Sequence, residues 1–283
     1  IDVLDAESLF NSTTWDWLSW SANYYRAALG DVLFQALPVK LRHGESAVKN
    51  DRTFWRITDL GKQALESGDL KRAKKQIEAL NLLLTQDLEK GNNEISSAIW
   101  SALKSKDYVE EIIVPTEQKS WQQALGDNSL VNLDNRLTLN KQQALAFSQL
   151  LFQEGFNVWL LEGVTGSGKT EIYLQYIEEV LKKGKQVLVL VPEIGLTPQT
   201  VRRFQARFNV EIDVLHSNLN DTQRLNVWER ARTGQSAIVI GTRSALFTQF
   251  SDLGLIILDE EHDGSFKQQD GWRYHARDLG IVL

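Results

Sequence analysis

The sequence predicts an α/β fold in which a lobe built on a parallel sheet follows a smaller, largely helical region. From residue 137 onward, short apolar runs alternate with amphipathic stretches, the pattern of a parallel sheet with helices on both faces. Before residue 115 that alternation is missing and helical spacing dominates. A chain of 283 residues also fits about two domains of roughly 100–200 residues each.

Composition narrows the class of protein. Hydrophobic residues make up 42% of the chain, and no apolar run reaches the roughly 18 residues of a membrane span, so we expect a soluble, cytoplasmic protein with no membrane partner. The absence of cysteine excludes disulfides and thiolate metal sites. A net charge of −6 argues against indiscriminate binding to nucleic acid, so such contacts must come from local patches. The ends at Ile1 and Leu283 predict a fragment.

Aromatic residues near the start predict one face of a helix over residues 13–29, stopped by Gly30. Trp17, Trp20 and Tyr24 share that face. A face packed on the core is favoured over a platform for base stacking, because buried aromatic rings are the common case. The polar residues 43–51 are typical of a linker.

Residues 51–114 predict a small winged-helix-like domain, with two short helices across a turn at 91–93 and then a strand at 108–114. The apolar positions of the helices are Ile77, Leu80 and Leu84, then Ile95, Ile99 and Leu103. The cations that could contact DNA phosphates are Lys71, Arg72, Lys74, Lys75, Lys104 and Lys106. Solvated helix faces explain these charges equally well. Residues 115–136 are predicted to be a connector.

The lobe from 137 to 283 contains five predicted strands and four predicted helices. The strands are 158–161, 186–191, 211–215, 237–240 and 255–258. The helices are 141–154, 169–183, 198–208 and 221–232. Thr197 and Pro198 support the third helix, as a hydroxyl cap followed by a proline at the first helical position.

A phosphate-binding loop is the most specific motif in the chain, and it lies between a predicted strand and a predicted helix, as such loops require. Its residues are Gly163, Val164, Thr165, Gly166, Ser167, Gly168, Lys169 and Thr170. The glycines let backbone N–H groups surround phosphate oxygens at the positive end of the helix. Lys169 should reach the β- and γ-phosphates of ATP, and the Thr170 hydroxyl should coordinate Mg²⁺.

An acidic pair follows the last predicted strand, at the edge of the sheet where open α/β folds bind ligands. Asp259 is predicted to hold Mg²⁺, and Glu260 to orient and deprotonate the attacking water. Such a cluster alone is more often a polar loop. Together with the phosphate loop, it predicts nucleotide hydrolysis.

The run Asp259-Glu260-Glu261-His262 resembles the D-E-x-H motif of superfamily-two helicases and translocases. With the segments at 30–34, 191–199, 215–217 and 241–247, the chain is similar to the bacterial replication-restart DNA helicases, the primosomal protein N′ family. That resemblance implies a RecA-like motor lobe, truncated here, and makes residues 1–50 the tail of an N-terminal DNA-binding region. It implies that His262 couples nucleotide state to DNA contact.

The resemblance also implies where DNA and adenine are bound. Thr242 and Arg243 are expected to contact the backbone of single-stranded DNA, a helix cap being the alternative. Gln143 is the candidate for adenine recognition. After the acidic motif, aromatic residues interleaved with cations suit a loop that grips a DNA strand, although a packed surface loop is also possible. Its candidate DNA contacts are Lys267, Trp272, Arg273, Tyr274 and Arg277.

The expected function of the whole protein is therefore ATP- and Mg²⁺-dependent 3′-to-5′ DNA unwinding at stalled or branched forks, which initiates primosome assembly. Its implied partners are branched and single-stranded DNA, primosome proteins and single-stranded DNA-binding protein, and it is implied to be a monomer. The family also implies a zinc site, for which this chain has no ligands. A restriction-type double-stranded DNA translocase and a non-catalytic fork-binding module are the alternatives. The fragment itself is expected to hydrolyse ATP weakly or not at all.

Overall fold

The computed structural model describes residues 8–45, 47, 51–67, 73–90, 95–115, 118–152, 155–164 and 166–283. The chain forms two compact units, the larger from Ile1–Ala47 with Gln118–Leu283 and the smaller from Val48–Glu117. Residues 8–45 and 47 thus belong to the same unit as the parallel-sheet lobe, whereas the sequence predicts a separate segment there. The DNA-binding roles expected of residues 1–50 and 51–114 stay predictions.

The elements are numbered in chain order. The helices are α1 (Ser12–Tyr24), α2 (Leu29–Ala36), α3 (Val39–Arg42), α4 (Asp59–Ser67), α5 (Lys74–Leu83), α6 (Ser97–Lys104), α7 (Trp121–Leu125), α8 (Lys141–Leu151), α9 (Lys169–Lys182), α10 (Pro198–Arg207), α11 (Asp221–Arg232) and α12 (Ala276–Val282). The strands are β1 (Asp51–Ile57), β2 (Leu88–Glu89), β3 (Val109–Pro115), β4 (Gln186–Leu190), β5 (Ile212–Leu215), β6 (Ile238–Gly241) and β7 (Leu253–Leu258). Within the described ranges, no helix has both the length and the apolar character needed to cross a membrane.

The larger unit is built on a four-stranded parallel sheet in the order β5-β6-β4-β7. Alternate residues of the central strand β4 face opposite sides, so Leu188 packs into one apolar core and Val187 into another. Burial on both faces explains why β4 is apolar at nearly every position. The predicted α/β fold with a parallel sheet is confirmed.

The predicted strand at 158–161 is wrong. These residues have no strand pairing, and Val158 and Leu160 are 58% and 73% exposed. An apolar run supplies the burial pattern of a strand, but a strand also needs a hydrogen-bonded neighbour. β7 is the last strand of the sheet on that side, and no described strand pairs with its outer edge.

The first helix is shorter than predicted. α1 ends at Tyr24, Arg26 adopts a positive φ of 55°, and Gly30 lies inside α2 and therefore does not stop the first helix. The expected core face is only partly buried. The Trp17 ring is buried and its Nε1 donates to the carbonyl of Leu279 at 2.9 Å, whereas Tyr24 is 57% exposed.

The smaller unit has an antiparallel sheet in the order β2-β1-β3, with α4, α5 and α6. The stacked rings of Trp55 and Trp100, 5.3 Å apart, lie in its core. Helices α5 and α6 and strand β3 follow the prediction, but β1 and α4 are additional, and the predicted linker 43–51 overlaps the start of β1. A winged-helix fold is not confirmed. Lys71, Arg72 and the predicted turn at 91–93 lie outside the described residues.

Charged side chains buried between α9 and α10 fix the helix that carries the phosphate loop. The Arg207 side chain is 1% exposed and pairs with Glu171 at 3.1 Å and with Glu178 at 3.9 Å. Arg207 also donates to the carbonyl of Asn135, and Gln175 donates to Glu171 at 2.8 Å. A buried guanidinium is costly unless it is paired, so this arrangement allows little freedom for α9.

We predict that Arg207→Met lowers the free energy of unfolding by about 3 kcal/mol, because it leaves the buried Glu171 carboxylate without its cation. Chemical denaturation measures the change. Arg202→Met, at an exposed position of the same helix, is the matched control and should change stability by less than about 0.5 kcal/mol. Equal losses in the two variants would contradict the assigned role.

Candidate active site

The phosphate loop leads into the N-terminus of α9, as its sequence predicts. Gly168 caps the helix with a left-handed φ of 83°, and a β-carbon there would collide with the amide of Gln143. Only glycine tolerates both constraints without strain. The loop therefore presents its N–H groups at the positive end of a 14-residue helix. Thr165 lies outside the described residues.

The Lys169 ammonium is folded back onto its own loop. It donates to the carbonyl of Gly163 at 2.5 Å and lies 3.4 Å from the carbonyl of Val164. These carbonyls partly satisfy a cation whose expected partners are phosphate oxygens. A nucleotide must compete with them for the lysine.

Gln143 lies beside the loop, with both ends of its amide in use. Its Oε1 accepts from the N–H of Asn140 at 2.9 Å, which closes a capping box at the start of α8. Its Nε2 donates to the carbonyl of Ser167 at 2.8 Å. One Nε2 hydrogen stays available to a ligand. Adenine recognition by Gln143 stays a prediction.

The acidic motif lies at the carboxyl end of β7, and a hydrogen bond connects it to α9. The Tyr173 hydroxyl donates to Asp259 Oδ2 at 3.2 Å, and the N–H of Glu260 donates to Oδ1 at 3.1 Å. Burial, together with the nearby Asp259 charge, raises the pKa of Tyr173 above its ordinary value, so the phenol stays protonated. The acidic motif therefore lies beside α9, the helix that follows the phosphate loop.

Two other residues of the acidic motif, Glu260 and His262, are exposed to solvent. Glu260 is exposed and has a left-handed φ of 51°, an uncommon backbone state for a residue with a β-carbon. The His262 side chain is 78% exposed, and its Nε2 lies 3.8 Å from Glu260 Oε2. A cleft of about 410 Å³ opens here. It is lined by Val191, Pro192, Ile194, Gly195, Asp259, Glu260, His262 and Asp263.

The residues suit a magnesium nucleotide by their chemistry. Thr170 and Asp259 offer hard oxygen ligands, and Mg²⁺ usually takes only one or two protein oxygens, with water and phosphate completing its shell. Among the described residues, no group of three or more His, Cys, Asp or Glu side chains forms a metal cage.

The expected DNA contacts after β6 are partly engaged within the chain. Arg243 donates from one nitrogen to the carbonyls of Ser265 and Lys267, at 2.7 and 2.8 Å. Thr242 precedes the 3-10 turn Arg243–Phe247, but its side chain forms no cap bond with a described residue. The helix-cap alternative for Thr242 therefore has no support.

The loop after the acidic motif divides into buried rings and exposed cations. Trp272 and Tyr274 are 5% and 1% exposed and pack around Phe247, so in this arrangement neither ring is available to stack on a base. Burial raises the pKa of Tyr274 to about 12, although Arg243 opposes the shift. Arg273 is exposed. The burial of these two rings therefore agrees with the alternative of a packed surface loop.

The remaining cations of the loop have partners. Lys267 donates to the carbonyl of Arg273 at 2.7 Å and lies over the ring of Tyr25 at 5.4 Å. Arg277 pairs with Glu261 at 3.1 Å. The exposed ion pair of Arg277 contributes little stability. Phosphate contact by Lys267 and Arg277 stays a prediction.

Sequence reasoning missed two residues that organise the site, Tyr173 and Arg207. The first could have been found from spacing, because Tyr173 follows Thr170 by three residues and lies on the same helix face. The second carried no local signal, because its partners Glu171 and Glu178 are about thirty residues away in the chain.

Comparisons with known proteins agree with this geometry. Residues 140–282 match the DEAD/DEAH box helicase family. The chain is 79% identical over 283 residues to the replication restart protein PriA of Haemophilus influenzae, of which it covers 39%. It is 35% identical over 287 residues to PriA of Buchnera aphidicola, which involves 99% of this chain and 38% of the relative.

A third relative matches only part of the chain. PriA of Bacillus subtilis is 49% identical over 148 residues, 51% of this chain and 18% of that protein. The chain thus spans less than half the length of each of these three relatives.

We predict that Trp272→Ala destabilises the larger unit by about 3 kcal/mol, because it removes a buried ring from the core. Thermal or chemical unfolding measures the loss. Trp15→Ala, which removes a ring that is 46% exposed, should cost less than about 0.5 kcal/mol. Unchanged stability of Trp272→Ala, with weakened binding of single-stranded DNA, would instead support base stacking.

Proposed function

Because the chain belongs to the DEAD/DEAH box helicase family, we propose that it carries the first, ATP-binding lobe of a motor that unwinds DNA during replication restart. The observation that carries this proposal is the hydrogen bond between Tyr173 on α9 and Asp259 at the end of β7. This bond connects the helix that follows the phosphate loop to the acidic motif, which supports a single nucleotide site.

Nucleotide binding begins at the phosphate loop. Lys169 exchanges the carbonyls of Gly163 and Val164 for the β- and γ-phosphates of ATP. The loop N–H groups and the α9 dipole hold the phosphate charge. Thr170 and Asp259 hold Mg²⁺, which neutralises charge that develops on the phosphates. Gln143 offers its remaining amide hydrogen to adenine.

Hydrolysis and its coupling to DNA depend on two exposed residues, Glu260 and His262. Glu260 orients a water molecule for attack on the γ-phosphate and accepts its proton. His262, 3.8 Å from Glu260, is placed to sense a change at that carboxylate and pass it to the DNA-binding side. The open cleft beside them leaves room for the water and phosphate.

DNA is bound through its phosphates. Thr242, Arg243, Lys267, Arg273 and Arg277 supply hydroxyl, guanidinium and ammonium donors for the strand. Trp272 and Tyr274 act beneath them as packing that fixes the loop, since both rings are buried. With a net charge of −6, the chain depends on such local contacts to bind a polyanion.

For the whole protein, we propose 3′-to-5′ unwinding at stalled or branched forks followed by primosome assembly in the bacterial cytoplasm. The relatives named replication restart protein support this proposal for the whole protein. Primosome proteins and single-stranded DNA-binding protein are the proposed partners, and a monomer is the proposed state. A zinc site belongs to the proposal only for protein regions outside this chain.

We predict that a protein of the length of these relatives hydrolyses ATP slowly alone and much faster with a branched DNA fork, and that Glu260→Gln lowers the stimulated rate by at least about 100-fold. Phosphate release measures the rate. Lys169→Ala should abolish nucleotide binding. Strand displacement on the same fork separates a helicase from a translocase.

Glu261→Gln is the matched control, because it neutralises the adjacent acid, which pairs with Arg277 at 3.1 Å, and it should retain hydrolysis. Hydrolysis that is indifferent to DNA would overturn the helicase proposal. Equal loss in the Gln variants of both acids would overturn the role given to Glu260.

We predict that Arg273→Gln reduces the salt dependence of binding to single-stranded DNA, lowering the slope of log affinity against log salt by about 1. The exposed guanidinium would otherwise release one counterion per phosphate contact. Fluorescence anisotropy at several salt concentrations measures the slope. Lys183→Gln, at the far end of α9, should leave it unchanged. Identical slopes for the two variants would show that Arg273 does not contact a DNA phosphate.

A further inference from the structure

Tyr173 occupies an unusual place between the two expected magnesium ligands. Its hydroxyl donates to Asp259 Oδ2 at 3.2 Å, and Thr170 lies one helical turn earlier at the start of α9. The ring is 9% exposed and stacks on Phe204 of α10, with 6.4 Å between the ring centroids. Packing of the ring in the core therefore fixes the position of the hydroxyl.

Hydrogen bonds from Tyr173 and Glu260 orient the Asp259 carboxylate. Each oxygen accepts one donor, with Glu260 N–H on Oδ1 and Tyr173 O–H on Oδ2. A carboxylate oxygen can accept about two hydrogen bonds, so each retains one acceptor site. The orientation of the carboxylate is fixed while its capacity to bind a hydrated cation is preserved.

Burial of the phenol favours this hydrogen bond. A phenol hydroxyl buried in an apolar core costs free energy unless it finds an acceptor, and Asp259 is the acceptor that the fold supplies. The hydroxyl donor is therefore kept directed at this carboxylate.

We propose that Tyr173 is a positioning residue for the magnesium nucleotide, which aligns the Asp259 carboxylate with the Thr170 hydroxyl so that both meet one cation. This inference rests on the proposed function and adds to it a residue outside the phosphate loop and the acidic motif. Ligand groups that are oriented in advance bind a metal more tightly, because less ordering remains to be done on binding.

Tyr173→Phe tests the proposal, because it deletes one hydroxyl and keeps the ring on Phe204. The readout is the affinity of the full-length protein for a fluorescent ADP analogue, measured once with Mg²⁺ and once with EDTA. The ratio of the two affinities isolates the contribution of the metal. We expect Tyr173→Phe to lower this ratio by about tenfold, with the affinity in EDTA unchanged.

Tyr176→Phe is the matched control, since it removes the same atom from the half-buried tyrosine one turn further along α9, and its ratio should equal that of the unaltered protein. Asp259→Asn should lower the ratio as well, and the double variant with Tyr173→Phe should show no further loss, because the two side chains act as one unit. Unfolding midpoints verify that every variant is folded.

An unchanged ratio in Tyr173→Phe would overturn the positioning role, and so would additive losses in the double variant. If Lys169→Ala binds the analogue as tightly as the unaltered protein, the proposed function itself fails. That outcome is distinguishable, because it removes nucleotide binding from the phosphate loop whatever Tyr173 does.

Discussion

The buried ion pair between Arg207 and Glu171 is the interaction on which the geometry of the site depends. Glu171 directly follows Thr170, so a carboxylate fixed in the core fixes the first turn of α9. The phosphate loop directly precedes that turn, and the Tyr173 side chain extends from it to Asp259. Because the pair is shielded from water, removing one charge is costly, and the start of α9 cannot turn without breaking it.

The parallel sheet supplies the second constraint. Its strands end at one edge, so a loop after β7 and a helix packed on the sheet necessarily approach each other there. The Asp259 N–H donates to the carbonyl of Leu190 at 2.9 Å, which extends the sheet by one residue before the chain turns at Glu260. The backbone of Asp259 is therefore held by the sheet, whereas Glu260 begins the turn and is exposed.

Sequence patterns predicted the parts of this fold that depend on local spacing. The phosphate loop, its helix and four of the five strands follow from motif and periodicity, because burial on both faces of a sheet demands continuous apolar runs. The strand at 158–161 failed because pairing is a property of two segments. The burial of Trp272 and Tyr274 depends on distant residues too, since only the tertiary fold shows which aromatic residues of a mixed loop turn inward. Their shared neighbour Phe247 lies about 25 residues earlier in the chain.

The outer edge of β7 affects how this chain behaves when it is handled alone. Its six residues, Leu253–Leu258, are mostly apolar, and no described strand covers their outward N–H and C=O groups. An uncovered apolar edge is a template on which another molecule can add a strand, which is the first step of ordered aggregation. The exposed apolar run at 158–161 adds to that hazard. Such an edge favours self-association of the isolated chain as its concentration rises.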